Sequence, residues 1–160
     1  MIAVLADTHM PKGTRRLPDR CVELIGKAEA VLHAGDFSRA PVLDELHTLC
    51  PVVHAVHGNV DEPALRGALP ETLEVELGGR TLALIHDAGP ARGRLTRLRR
   101  RFPTADAVVF GHSHLPLHEE EGGFQIFNPG SPTERRRAPR PSMGILSAAK
   151  SGLVFEHVWL

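Results

Sequence analysis

The 160-residue chain contains two cysteines, one tryptophan, no tyrosine and no surplus of either charge. Each scarcity excludes something. Cys21 and Cys50 fall in segments that read as helical and lack the spacing of a metal-binding pair, so both are expected to be reduced and buried. Nineteen basic residues against nineteen acidic ones leave no net field that would call for nucleic acid or an anionic membrane. No stretch approaches the roughly 20 apolar residues of a membrane span. The apolar run after Met1, residues 2–6, is too short for a signal-peptide core and has no basic segment before it, which predicts a cytoplasmic chain. The Gly-x-Ser-x-Gly elbow and the Gly-rich P-loop are absent, and neither cysteine has a partnered base. These absences argue against an acyl-transfer triad and a P-loop NTPase.

What is present is a series of short apolar runs, each closing on a potential metal ligand. Residues 2–6 end at Asp7-Thr8-His9, residues 30–34 at Gly35-Asp36, and residues 52–56 at His57-Gly58-Asn59-Val60-Asp61. Residues 80–86 end at His86-Asp87, and residues 106–110 feed Gly111-His112-Ser113-His114. Continuous apolar runs of this length suit strands buried on both faces. Helical segments are predicted over 19–28, capped by Asp19, and from a Ser38 cap to about residue 49, with Pro41 tolerated in the first turn. This strand–helix alternation implies right-handed crossovers and a parallel sheet, which keeps ligands at the carboxyl ends of its strands. Residues 10–18 and 62–70 read as loops, the latter with room for one helical turn.

After Pro70 the rhythm changes to hairpins. Strands over 72–77 and 80–86 flank Gly78-Gly79, strands over 117–120 and 124–127 flank Gly122-Gly123, and a final pair over 143–148 and 153–158 flanks Lys150-Ser151-Gly152. The Arg-rich segment 93–102 reads as an amphipathic helix; without interleaved aromatics it is expected to be a solvated face rather than a nucleic-acid contact. No repeat or linker divides residues 1–160, which are expected to form a single domain.

The strand-end residues supply carboxylates, one amide and four imidazoles, and no thiolate. That donor set favours Mn, Fe, Zn, Ni or Co over Cu(I) or an iron–sulfur centre. Seven ligands are too many for one ion and suit two that share a bridging carboxylate and a bridging water, with Asp36 the natural bridge. Two divalent ions roughly 3.5 to 4 Å apart lower the pKa of a shared water to about 7 and hold phosphate oxygens as charge develops, so the expected chemistry is phosphoryl transfer to a metal-bridging hydroxide.

In this order, Asp7-x-His9, Gly35-Asp36, Gly58-Asn59, His86 and Gly111-His112-x-His114 resemble the calcineurin-like metallophosphoesterase superfamily. The opening through Met10-Pro11-Lys12 and the Asn128-Pro129-Gly130-Ser131 turn are similar to its small YfcE-type branch. The resemblance implies an α/β fold, a four-layer αββα sandwich of two mixed sheets flanked by helices. It implies that Asp7, His9, Asp36 and His114 hold one divalent ion, that Asn59, His86 and His112 complete a second bridged by Asp36, and that Asp7, His9, Asp36, Asn59 and His86 carry the catalysis. Manganese is the expected metal, and a small phosphate ester, chiefly a phosphodiester, the expected substrate. A homo-oligomer is compatible with this reading, and neither membrane nor nucleic acid is expected as a partner.

Asp61 and Asp87 are expected to orient ligands rather than bind metal. Asn128 and the basic loop Arg135, Arg136, Arg137 and Arg140 are weaker candidates for reaching a substrate phosphate. His33 is expected to be a satisfied core histidine. Two positions depart from the family pattern: Val60 stands where many relatives carry a proton-donating His, and Asp87 where they carry Gly. A non-catalytic scaffold of the same fold, like the retromer subunit, and a nuclease or nucleotide diphosphatase are the competing readings. The intact ligand set argues against the first, and the lack of length for a capping segment against the second.

Overall fold

The computed structural model describes residues 1–149 and 152–160. In chain order the elements are β1 (Ile2–Leu5), α1 (Asp19–Gly26), β2 (Ala30–His33), α2 (Ala40–Leu49), β3 (Val53–Ala55), α3 (Pro63–Ala68), β4 (Thr72–Leu77), β5 (Arg80–Ile85), α4 (Arg94–Arg101), β6 (Ala107–Val109), β7 (Leu117–Glu121), β8 (Phe124–Asn128), β9 (Ser142–Ala149) and β10 (Gly152–Trp159). They form two mixed sheets, one in the order β10-β9-β1-β2-β3 and the other β4-β5-β6-β8-β7. β1, β2 and β3 pair in parallel, as do β5, β6 and β8, while the hairpins add antiparallel strands at the edges.

Alternation along the strands makes the layers. Ile2, Val4, Leu32, Leu82, Leu84 and Val109 point into the space between the sheets, where Phe127 stacks on Phe155. The opposite faces carry Ala3, Leu5 and Val31 against α1 and α2, and Ala83, Ile85 and Val108 against α4. Both faces of the central strands are thus covered, which is why those strands read as unbroken apolar runs. Cys21 and Cys50 are buried free thiols, and burial pushes Cys21 up to about 12, so it stays protonated. Among the described residues, no helix is long and apolar enough to cross a membrane.

Several local expectations are corrected. Asp19 is the first residue of α1 rather than its cap; Pro18 precedes the helix, and Asp19 pairs with Arg16 at 2.9 Å. Ser38 does not cap α2. Its φ is 82°, its N–H donates to Asp61, and the helix begins at Ala40, whose N–H donates to Glu62 Oε1 at 2.7 Å. The segment 62–70 contains the six-residue helix α3, with Pro63 in the first turn, where its missing N–H costs nothing. Of the turn expected between the last two strands, Lys150 and Ser151 lie outside the described residues.

α4 explains its own arginines. Arg97 donates to the carbonyls of Ala88, Pro90 and Arg92, while Arg94 and Arg99 lie over the rings of Phe110 and Phe124. Much of the guanidinium capacity is spent within the fold.

Candidate metal centre

Five strands deliver all the expected ligands to one edge of the sandwich. Asp7 and His9 follow β1, Asp36 follows β2, Asn59 follows β3, His86 follows β5, and His112 and His114 follow β6. The loops are laced together by backbone bonds: Asp7 N–H to Gly35 O at 2.9 Å, His9 N–H to Asp36 O at 3.0 Å and Gly111 N–H to His86 O at 3.0 Å. A methyl group at Gly58 would run into the Asp36 carboxylate, and one at Gly111 would sit 2.8 Å from the Ala6 methyl and 3.0 Å from Asp7 Oδ2. Glycine at these two positions is therefore what lets the loops close.

Two groups of ligand atoms result. Asp7, His9 and His114 form one: Nε2 of His9 and Nε2 of His114 are 3.1 Å apart, and Asp7 Oδ1 lies 3.8 and 3.5 Å from them. Asp36, His86 and His112 form the other, with Asn59 Oδ1 3.1 Å from His86 Nε2 and 3.0 Å from His112 Nδ1. One oxygen joins the groups: Asp36 Oδ2 is 3.6 Å from His9 Nε2 and 3.2 Å from His86 Nε2. Asp36 Oδ1 is occupied by the Val60 N–H at 3.0 Å.

The surroundings fix which ring atoms face inward. His86 Nδ1–H donates to Ala34 O at 2.8 Å and His114 Nδ1–H to Glu134 O at 2.6 Å, so each Nε2 faces the cluster. Asp7, His9, Asp36, His112 and His114 all adopt left-handed backbone conformations, φ 44–69°. Such residues cost about 1–3 kcal/mol each and persist where surrounding structure over-determines them.

The electrostatics are those of a cation site. Asp7 Oδ2 is buried with no hydrogen-bond partner among the described residues, and burial pushes the Asp7 carboxyl up to about 8. Burial lowers His9, and it lowers His114 to about 4 despite the Glu134 carbonyl. At Asp36 burial opposes ionisation, but the hydrogen bond and charge of His86 outweigh it and hold the carboxyl below its usual range. His86 is raised by the same contact in spite of burial. The neutral imidazoles of His9 and His114 beside an orphaned buried carboxylate oxygen leave a concentration of lone pairs that a divalent cation would satisfy.

The supporting residues divide differently from expectation. Asp61 accepts the N–H groups of Asp36, Ser38 and Gly58 at 3.1, 2.7 and 2.7 Å, tying the second and third ligand loops together as expected. Asp87 is exposed and folds back on the Gly89 N–H at 2.7 Å, so it orients no ligand. Asn128 is fully buried, donating to Gly111 O and Ser113 Oγ, and cannot reach a substrate; it braces the His112 loop from beneath. His33 is a satisfied core residue, bonded to Thr8 Oγ1 and the Gly35 N–H and stacked on Phe37. Sequence reasoning missed Ser131, Thr133 and Glu134. The first two donate to the Asp7 and Thr8 carbonyls at 2.7 and 2.6 Å, and the third supplies the carbonyl for His114. Ser131 is itself the last residue of the Asn-Pro-Gly-Ser turn, and Thr133 and Glu134 follow within three residues, which is the one signal the sequence offered.

The two sheets, the helices outside them and the carboxylate–imidazole cluster at one edge are the frame of a metallophosphoesterase. Residues 1–151 match the family model of the calcineurin-like phosphoesterase superfamily domain, and the chain belongs to that superfamily. It is 34% identical over 148 residues to a probable metallophosphoesterase of Methanothermobacter thermautotrophicus, covering 91% of this chain and 84% of the relative. A probable metallophosphoesterase of Methanocaldococcus jannaschii is 31% identical over 139 residues, 85% of this chain and 70% of that one. Wild-type Vps29 of Entamoeba histolytica, solved complexed with zinc, superposes with a TM-score of 0.77 at 25% identity, covering 99% of this chain and 98% of that one.

Proposed function

We propose that the chain is a binuclear metal-dependent phosphoesterase acting on small phosphodiesters, with water as the attacking group. The observation that carries this is Asp36 Oδ2, standing between His9 Nε2 and His86 Nε2 and joining the two ligand groups. Asp7, His9, Asp36 and His114 would hold one ion, and Asp36, Asn59, His86 and His112 the other. When bound, two divalent cations supply an acidified water and a positive clamp on the phosphate oxygens.

The protein's part is preorganisation. The Ala34 and Glu134 carbonyls hold the Nδ1–H groups of His86 and His114, so both rings already turn Nε2 toward the cluster and neither must rotate to bind. Asp61 sets the spacing between the Asp36 and Asn59 loops through three N–H groups. The exposed face of Asn59 and His112 leaves room for a substrate, and a cavity of about 260 Å³ beside them, lined by His57, Arg66 and Ile85 among others, can take one ester arm. Val60 offers no proton to a leaving oxygen, which favours esters whose leaving group departs as a stable anion.

The test is turnover of bis(p-nitrophenyl) phosphate by manganese-supplied protein beside Asp36→Asn. The expected outcome is hydrolysis by the wild type and a loss on the order of a thousandfold in kcat/KM in the variant. A wild type that binds manganese and leaves the diester intact would favour a binding role for this chain.

A further inference from the structure

We propose that Arg136, with Lys12 across from it, forms a phosphate-oxyanion subsite at the His9 end of the metal centre. The subsite rests on the phosphoesterase reading in that it presents substrate phosphate to that centre. A cavity of about 340 Å³ opens beside His9, lined also by Ser38, Val60 and Glu134. Glu134 is the single carboxylate among its lining residues, and it is already engaged: Arg15, which does not line the cavity, holds it at 3.2 Å while also donating to His9 O. The cations facing the cavity have no such carboxylate partner, and Arg136 spends one N–H on the His112 carbonyl at 3.4 Å. Among the described residues neither Arg136 nor Lys12 has a carboxylate within 4.0 Å, whereas Arg16, Arg20, Arg39, Arg80 and Arg101 pair with carboxylates at 2.7–3.6 Å.

The backbone works to place this guanidinium. Arg136 lies in the left-handed region at φ 46°, an unfavourable conformation for an arginine, and its Nη1 lies 3.4 Å from His112 O, across the loop that carries two of the imidazoles. Its neighbours differ: Arg135 donates to Ala138 O at 2.8 Å, and Arg140 points toward Leu160 O at 3.4 Å. A guanidinium beside a site for dications is repulsive unless an anion lies between them, and a phosphate removes that conflict. The planar fork of arginine suits two phosphate oxygens at once. The oxyanion is either that of the reacting phosphoryl group or a second phosphate of the same substrate; the chemistry recognised is the same.

The experiment compares wild type, Arg136→Ala, Arg136→Gly and Lys12→Ala, with exposed Arg137→Ala as control, all supplied with manganese. Calorimetric titration with inorganic phosphate reads the subsite whether or not the chain turns over, and metal content is measured on the same samples. The expected result is phosphate binding weakened about tenfold to a hundredfold in both Arg136 variants and less in Lys12→Ala, with metal content and Arg137→Ala unchanged. Arg136→Gly suits the left-handed backbone, so it separates loss of the guanidinium from loss of folding. Competition by adenosine 5′-monophosphate and adenosine 3′,5′-bisphosphate then distinguishes the sources. An equal loss for both places the guanidinium on the reacting phosphate, and a loss confined to the bisphosphate places it on a second one. Phosphate binding within twofold of wild type in both Arg136 variants, or no phosphate binding by metal-loaded wild type, overturns the subsite. A wild type that binds phosphate through Arg136 yet hydrolyses no diester leaves the subsite standing and removes the enzymatic reading instead.

Discussion

The two halves of the metal centre are built differently. Asp7, His9 and His114 are buried, and the backbone carbonyls behind them are gripped by Ser131 and Thr133. On the other side of Asp36, His86 is buried but Asn59 and His112 are exposed, and a cavity opens next to them. The closed half is braced by its surroundings and meets the neighbouring cavity through His9; the open half offers whole side chains to solvent. Under the binuclear reading, the first half is suited to keep its ion and the second to share its coordination with a substrate.

Truncating one imidazole on each side is the strongest way to break this contrast. His114→Ala should remove a ligand, open a cavity and leave the Glu134 carbonyl without its donor, costing about 2–4 kcal/mol of stability in metal-free protein. His112→Ala should cost less than about 0.5 kcal/mol, because its ring is exposed. Both should lower bound metal and reduce turnover by at least about a hundredfold. Urea unfolding of chelator-treated protein, with metal content measured on untreated samples, checks the pair. Equal stability losses would dissolve the distinction between the halves.

A smaller effect sharpens it. His33 supports the closed half through Thr8, and burial holds its imidazole down at about 3, so it stays neutral in the folded chain. Below pH 6.5 the unfolded chain binds a proton that the folded chain refuses, so stability is lost as pH falls from 6.5 toward 3. One such group contributes a slope of up to about 1.4 kcal/mol per pH unit. Unfolding free energies of metal-free protein should therefore fall more steeply on acidification in wild type than in His33→Leu. Parallel slopes would mean that the ring titrates normally.

The contrast between the halves also separates what was legible in the sequence from what was not. The strand ends could be read because a strand covered on both faces is an unbroken apolar run, so the first polar residues after it, Asp7, Asp36, His86 and His112, mark where the chain leaves the core. Their order resembled a known superfamily, and that resemblance implied the two-sheet fold, with which the early parallel units and the late hairpins agree. Helix starts were not legible, because the N–H groups expected to go to local caps went to distant side chains: the Ala40 N–H to Glu62, and the Ser38 N–H to Asp61. Asn128 read as a polar loop residue, yet its amide is consumed in the core by Gly111 and Ser113. Nor could Arg136 be told from Arg135, Arg137 and Arg140 by residue type. What distinguishes it is a left-handed backbone angle and a place on the cavity beside His9, both properties of the folded chain.

Anomalous scattering from crystals grown with manganese tests the central claim most directly, because it locates cations without reference to activity. The account predicts two peaks, one on each side of Asp36 Oδ2 and about 3.5–4 Å apart, the first among Asp7, His9 and His114 and the second among Asn59, His86 and His112. A single peak, or none within reach of Asp36, would contradict it.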